Sequence, residues 1–382
     1  MPIPAFESCC SFLENLHSER YFTAASFGIA HPLLLLTRSI GFLDDPPRSI
    51  PVTPATLFDI ASITKPVATA TAILQLFESG RIDLEEQADT FLPEFRETGL
   101  HRVTVKQLLT HTAGLAAWKP LYLKGSSVQE YIEQIAADPL DYKPGTRVVY
   151  SCLGYIALAE IVRRVTGRSL QSYCDSHIFT PLGMMDTCFN PPHNRRHRIA
   201  PVELGNAYER FLTGSAGADY SRWRNERIRG EVHDNNGFQA GGETGNSGLF
   251  SSTHDLIVFG LCILDGLNGR DTPILRSETI RYACRNHTEG LDFGRGLGWQ
   301  IASTSFSAGS LISRDAIGHN GFTGTSIWID RHRLSVVVLL TNRTYFGGDP
   351  ARFSAIRAPF HDRAVECVDR LSAQPGVTPR KD

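Results

Sequence analysis

Ser62 and Lys65 stand three residues apart in Phe58-Asp59-Ile60-Ala61-Ser62-Ile63-Thr64-Lys65-Pro66, directly ahead of the Ala, Thr and Leu run from Val67 to Phe77 that stops at Gly80. The run is made of good helix formers and Pro66 is tolerable in a first turn, so the pattern predicts a helix with both residues on one face at its start. A hydroxyl there lies near the positive end of the helix dipole, beside free backbone N–H groups. An ammonium one turn along can hydrogen-bond it and, if desolvated enough to lose its proton, act as its base. The ordinary reading of the same residues is a serine that merely caps a helix. Lysine is scarce, however (Lys65, Lys106, Lys119, Lys124, Lys143 and Lys381), and only Lys65 has a serine three positions before it.

A nucleophilic serine also needs a proton carrier for the leaving group, an oxyanion hole and something to hold the substrate. Tyr150-Ser151-Cys152 precedes a helical pattern, after the turn Lys143-Pro144-Gly145-Thr146. A phenol near a lysine can have its pKa lowered enough to shuttle protons, although a lone tyrosine before a helix is more often just packing. Gly318-His319-Asn320-Gly321-Phe322-Thr323-Gly324 falls in an extended C-terminal region, where glycines let a substrate lie close to a strand. Its ordinary reading is a Gly-rich bulge with a surface histidine.

The elements that must position these groups follow from periodicity. Residues 5–18 read as an amphipathic helix and residues 22–43 as paired strands, with the apolar stretch from Pro32 to Leu36 taken as strand; Thr56 to Ile60 is a short strand leading into Ser62. Helical patterns follow at residues 105–110, 128–137, 152–165 (stopped by Gly167) and 169–179, the last capped by Ser169. Residues 190–250 are rich in Pro, Gly, Asn and Arg and end in Gly241-Gly242-Glu243-Thr244-Gly245-Asn246-Ser247-Gly248. That run lacks the Gly-Lys-Ser/Thr ending of a phosphate loop and reads as a packing or substrate-facing loop. A helix over residues 253–264, with Thr253 as cap, precedes extended segments at 297–303, 316–318, 325–329 and 334–341, and a closing helix at 352–371. Strands joined by turns as short as Asp330-Arg331-His332-Arg333 imply an antiparallel sheet. The expected fold class is α+β: residues 1–65 and 250–382 form a sheet domain flanked by helices, residues 66–249 an inserted, mainly helical domain, and the site lies at their interface.

Bulk properties narrow the function classes. The chain has 382 residues, 42% hydrophobic, and a formal net charge of −2, so no basic stripe points to nucleic acid or an anionic membrane. Asn194-Arg195-Arg196-His197-Arg198 reads as a solvated loop. Apolar stretches are too short to span a bilayer, and Met1 to Glu7 has no basic stretch followed by an apolar one, which predicts residence in the cytoplasm. Eight scattered cysteines give neither zinc spacing nor a disulfide framework, and His193 and His197 sit among arginines; no metal and no cofactor are expected.

In order along the chain, Ser62-Ile63-Thr64-Lys65, Tyr150-Ser151-Cys152 and His319-Asn320-Gly321 resemble the three motifs of the serine β-lactamase and penicillin-binding-protein superfamily. The closest pattern is its class C β-lactamase-like branch, which also holds family VIII carboxylesterases, D-Ala-D-Ala carboxypeptidases and D-aminopeptidases. Leu108 to Leu115, Pro181-Leu182-Gly183-Met184, Val232-His233-Asp234, Gly248-Leu249-Phe250-Ser251 and Gly296-Leu297-Gly298-Trp299 support the likeness, which covers roughly residues 20–365. The resemblance implies that Ser62 is acylated and that Lys65 and Tyr150 share its proton. It also implies an oxyanion hole from the Ser62 and Phe322 N–H groups, with His319, Asn320 and Gly321 facing the substrate. Two positions depart from the pattern: Cys152 stands where Asn is usual, and His319 where Lys is usual. Cys152 is a weak hydrogen-bonding group and a histidine is mostly neutral at pH 7, so recognition of β-lactams and peptide C-termini is expected to weaken. The expectation is a carboxylesterase-like serine hydrolase of a small-molecule ester or amide. The alternatives are a D-peptidase or β-lactamase, and a non-catalytic ligand sensor. The absence of a Gly-x-Ser-x-Gly elbow disfavours an α/β-hydrolase.

Overall fold

The computed structural model describes residues 3–347 and 350–373. Its helices are α1 (Pro4–Ser18), α2 (Thr71–Glu78), α3 (Val105–Leu109), α4 (Val128–Ala137), α5 (Cys152–Thr166), α6 (Leu170–Cys174), α7 (Thr180–Leu182), α8 (Ala207–Thr213), α9 (Asn235–Gln239), α10 (Thr253–Leu267), α11 (Ser277–Ala283) and α12 (Pro350–Ser372). Its strands are β1 (Ala24–His31), β2 (Leu34–Gly41), β3 (Phe58–Asp59), β4 (Cys188–Phe189), β5 (Leu249–Ser251), β6 (Gln300–Ile301), β7 (Ile317–Gly321), β8 (Thr325–Asp330) and β9 (Ser335–Thr341).

Six strands form one antiparallel sheet in the order β2-β1-β9-β8-β7-β6, so the first and last strand segments of the chain are neighbours, with Phe27 opposite Leu339. The alternation of side chains sorts residues between two cores. Val336, Val338 and Leu340 of β9 join the large core that includes Ile257 and Ile263 of α10, while Val337 and Leu339 join Phe27 and Ile29 of β1 against α1 and α12. β9 is buried on both faces for this reason, which explains its unbroken apolar sequence. The α+β expectation, with one antiparallel sheet built from both ends of the chain, holds.

Two details differ from the sequence reading. Pro32 and Leu33, read as strand, make the two-residue turn of the β1–β2 hairpin, since His31 pairs with Leu34 and proline has no N–H for a ladder. α10 is capped by Ser252, whose hydroxyl accepts the Asp255 N–H at 3.2 Å, not by Thr253; the Thr253 hydroxyl donates to Ser26 of β1 instead.

α5 is the spine of the helical part. Ser151 caps it, and Gly167 ends it with φ +70°, a conformation costly for any residue with a Cβ. Leu153 to Val162 are all buried, against α2, α3, α4 and α6. A second, three-stranded sheet (β3-β5-β4) ties this part to the segment before Ser62. His193 and His197 lie exposed, and among the described residues no three His, Cys, Asp or Glu side chains converge on a metal site. Among the described residues no helix is long and apolar enough to cross a membrane.

Candidate active site

The expected helix after Ser62 is built in three pieces. Ala61–Ile63 is a tight 3₁₀ turn, Lys65–Ala70 is a wide π-helical turn, and only Thr71–Glu78 is regular α-helix. Pro66 supplies no N–H, and the Thr71 hydroxyl donates to the Pro66 carbonyl at 2.8 Å, five residues back, which holds the widened turn. Ala61 has φ +47°, an unfavourable angle for alanine, immediately before the serine.

Long-range bonds fix that conformation. The Asp59 carboxylate accepts the Ala61 N–H at 2.8 Å and the His233 N–H at 2.7 Å. Thr323 and Thr325, at the β7–β8 turn, donate to the Asp59 and Ile60 carbonyls at 2.7 and 3.0 Å. Gly321 belongs to the same clamp, because a Cβ there would collide with the Ile60 carbonyl oxygen. The glycine of the third motif therefore serves close approach of β7 to the serine segment.

Lys65 is fully buried, and its Nζ lies 3.0 Å from Ser62 Oγ, 2.8 Å from the Asn246 carbonyl and 3.6 Å from Cys152 Sγ. Burial pulls its proton affinity down, as the sequence reading supposes. The negative charge that Cys152 and Tyr150 can carry more than offsets burial, so the balance lies above the usual lysine value. Tyr150 moves in the opposite sense to the one expected: burial raises its pKa by more than the Lys65 charge lowers it. At neutral pH the site therefore rests as ammonium and phenol, with no base preformed beside Ser62. The phenol is buried and its oxygen has no hydrogen-bond partner among the described residues. The Lys65 Nζ lies 4.9 Å from its ring centroid.

His111 holds Tyr150 in place. It packs against it with the rings tilted by 45° and their centroids 4.6 Å apart, and its Nδ1 accepts the Ser151 N–H at 3.0 Å. The Ser151 hydroxyl donates to the Ala116 carbonyl at 2.6 Å and accepts the Gly154 N–H at 3.5 Å, which starts α5. His319, on β7, is 1% exposed, its ring 5.8 Å from that of Tyr150. Burial first, then the charges of Lys65 and Arg295, push its pKa well below the usual range, and it stands neutral. The Asn320 amide donates to Ser307 at 2.6 Å and to Gln300 at 3.3 Å, which leaves its carbonyl oxygen without a partner.

Ser62, Tyr150, Cys152 and the stretch from His319 to Phe322 all line one cavity of about 530 Å³, and Lys65 lies behind its wall. The sequence-derived residues are thus brought together. The same cavity includes groups that the sequence reading gave no site role of their own, some of them inside stretches it named. Asn246 and Ser247 come from the glycine-rich loop, so the loop faces the cavity. Trp118, Tyr208, Glu209 and Asp234 come from regions without periodicity. Arg343 follows β9, and Arg357 lies on α12 with its Nε unpartnered. Apart from Arg357, which falls on the expected closing helix, the signal for them was polar and aromatic residues in segments without periodicity.

Comparison with known proteins gives the chain a family. The Beta-lactamase family model matches residues 23–358. A protein of Escherichia coli (strain K12) named putative D-alanyl-D-alanine carboxypeptidase is 31% identical over 319 residues, covering 78% of this chain and 71% of that protein. Among solved structures, a beta-lactamase/D-alanine carboxypeptidase from Pseudomonas syringae superposes with a TM-score of 0.74 at 20% identity, over 97% of this chain and all of that one. EstCE1, described as a hydrolase with promiscuous acyltransferase activity, superposes with a TM-score of 0.72 at 19% identity, over 96% and 98% of the two chains.

Proposed function

The chain belongs to the beta-lactamase family and is a serine hydrolase of the β-lactamase and penicillin-binding-protein type, and on that premise we propose that it cleaves carboxylic esters in preference to β-lactams. The 3.0 Å contact between Lys65 Nζ and Ser62 Oγ, inside a cavity also lined by Tyr150, carries the nucleophile assignment. In this reading the reactive form of the Lys65–Tyr150 pair is the minor one in which Tyr150 is a phenolate beside the Lys65 ammonium, and Ser62 Oγ attacks the ester carbonyl as its proton passes to that phenolate. The Ser62 and Phe322 N–H groups receive the oxyanion. The ester C–O bond breaks, the pair returns the proton to the departing alkoxide, and an acyl-Ser62 remains. Water then adds, giving the carboxylic acid and restoring the serine.

The preference for esters follows from what stands beside the nucleophile. His319 is neutral where a lysine would offer a permanent charge, and Cys152 offers a weak hydrogen bond where a carboxamide would offer a strong one. Each missing charge-assisted bond costs about 1.5–3 kcal/mol, roughly tenfold or more in kcat/KM. An ester leaves as an alkoxide that needs less assistance than an amide.

One observation favours a second reading, a carboxypeptidase acting on D-peptides. Arg343 and Arg357 line the cavity, and Arg357 stays cationic at neutral pH although burial and Arg343 pull its pKa down to about 9. Two guanidinium groups suit a terminal carboxylate.

A panel of p-nitrophenyl butyrate, nitrocefin and an acyl-D-Ala-D-Ala peptide separates the readings. The ester should exceed both others in kcat/KM by roughly 100-fold or more, and Ser62→Ala should reduce ester turnover to background. A peptide or nitrocefin rate above the ester rate excludes the ester reading. Residual turnover in Ser62→Ala excludes the nucleophile.

A further inference from the structure

Two carboxylates line the Ser62 cavity and take no part in the acyl transfer described above: Glu209 on α8 and Asp234, the residue that caps α9. Glu209 is 4% exposed. Its Oε1 accepts the Asn235 N–H at 2.8 Å, and its Oε2 has no hydrogen-bond partner among the described residues. The Tyr122 hydroxyl faces the Glu209 carboxyl without a hydrogen bond of ordinary length, and both amide atoms of the Asn235 side chain are buried without partners among the described residues. Asp234 gives one oxygen to the Gly237 N–H at 2.7 Å, and its other oxygen meets the Asn246 amide at 3.5 Å.

Neither carboxylate is in an ion pair among the described residues. Arg224 feels both charges, yet its guanidinium donates to the Val232 and His233 carbonyls at 2.7 and 2.6 Å and sits 3.9 Å from Glu231. A carboxyl group buried without a cation keeps its proton, as Glu209 does at neutral pH, and a positive charge in the cavity beside it and the half-buried Asp234 would favour its ionised form. Two aromatic rings, Trp118 and Tyr208, also line the cavity, whereas the face of Phe322 already carries the Arg343 guanidinium, 4.2 Å from its ring centroid. Aromatic faces with carboxylates are the chemistry that binds an ammonium. A bare metal ion fits less well, because no third acidic, His or Cys ligand joins the two among the described residues.

We propose that Glu209 and Asp234 form a subsite for a protonated amine of the substrate, so that the preferred esters carry an amino group on the acyl or the alcohol part. The proposal rests on the ester reading and sharpens it. It also has a pH signature. Burial first and Asp234 second push the Glu209 carboxyl up to about 8, with Tyr122, Tyr220 and Arg224 as the other ionisable groups facing it. Glu209 thus loses its proton between neutral and mildly alkaline pH, where an alkylamine is still charged, and the preference for the amine should grow as pH rises through that range.

The test uses pairs that differ by one atom group. On the acyl side, p-nitrophenyl 6-aminohexanoate is compared with p-nitrophenyl heptanoate; on the alcohol side, 5-aminopentyl acetate is compared with hexyl acetate. In at least one pair the amine should have the higher kcat/KM by roughly tenfold, mainly through KM. The ratio should rise from pH 6.5 to 9 and fall at least about tenfold in Glu209→Gln. Hexylammonium should inhibit heptanoate turnover competitively and better than 1-hexanol, a measurement on the unaltered protein that needs no variant to fold. No amine preference in either pair, with hexylammonium no better than hexanol, overturns the subsite. If the neutral esters are cleaved in a Ser62-dependent way, that result leaves the ester reading standing; if neither ester of a pair is cleaved while D-peptides are, it is the ester reading that falls.

Discussion

Lys65 has an acceptor for each of its three ammonium hydrogens, in Ser62 Oγ, the Asn246 carbonyl and Cys152 Sγ. A lysine so held keeps its proton, and Tyr150 beside it keeps its own, so the reactive form is the minor one with a Tyr150 phenolate beside the ammonium. The phenol's pKa lies above its ordinary value of 10.0. The fraction of phenolate therefore grows about tenfold per pH unit through the whole neutral range. Ester kcat/KM should climb from pH 6 to at least 9, and Tyr150→Phe should flatten that limb and cost about 100-fold or more. A flat wild-type profile would remove Tyr150 from the proton path. Cys152→Asn should raise nitrocefin or peptide turnover relative to ester; an unchanged ratio would show that residue 152 does not set the preference. Glu209 adds a linkage effect of the opposite kind. Its carboxyl holds a proton in the folded chain that it would release near pH 4.5 when unfolded, so the folded state binds more protons between those values and loses stability as pH rises toward 8. Glu209→Gln should accordingly melt higher than the wild type at pH 8.5, with little difference near pH 4.5. Equal melting temperatures at pH 8.5 would show that the carboxyl ionises freely.

At the scale of elements, the nucleophile is held by what packs on its segment rather than by helix propensity. Asp59 receives two N–H groups from Ala61 and His233, and Thr323 and Thr325 bolt the end of β7 to the same backbone. In Asp59→Asn one oxygen becomes a donor that faces an N–H. The resulting unpaired groups cost about 1–3 kcal/mol, and Ala61 loses the contact that holds its positive φ. The variant should melt several degrees lower and lose ester activity beyond its loss of folded protein; full activity in the folded fraction would show that Asp59 matters for stability alone. The helix expected after Ser62 was legible in composition. Its π-helical opening was not, because the widening depends on the missing Pro66 N–H and the Thr71 bond back to Pro66 together.

For the whole molecule, the alternating burial of β1 and β9 between two helical layers holds the first and last strand segments of the chain together. Leu339 is fully buried on the α1 and α12 face, so Leu339→Ala should cost about 2–5 kcal/mol, whereas Leu35→Ala, at a site 49% exposed, should cost close to nothing. Chemical denaturation of both variants checks this, and equal costs would contradict the two-core arrangement. α12 links this packing to the cavity, since the helix that buries Phe353 and Phe360 also presents Arg357 to the site.

The sequence by itself determined what local geometry can encode. A serine and a lysine three apart, a tyrosine just ahead of a helix, and short apolar runs separated by polar turns at the end of the chain are patterns spanning only a few residues. Those features were enough for the α+β class and for the residues that meet at the nucleophile. Tertiary structure alone decided the charge states and the rest of the wall. Burial and pairing come from partners far away in sequence, such as Asn246 for Lys65 and the β7–β8 turn for Asp59. Glu209, Asp234 and Arg343 lie in segments where no periodicity marks a face, and Arg357, on the expected closing helix, reaches the cavity only through the packing of α12. Whether Lys65 is a base or a held ammonium is likewise a property of its enclosure, and no spacing of residues along the chain contains it.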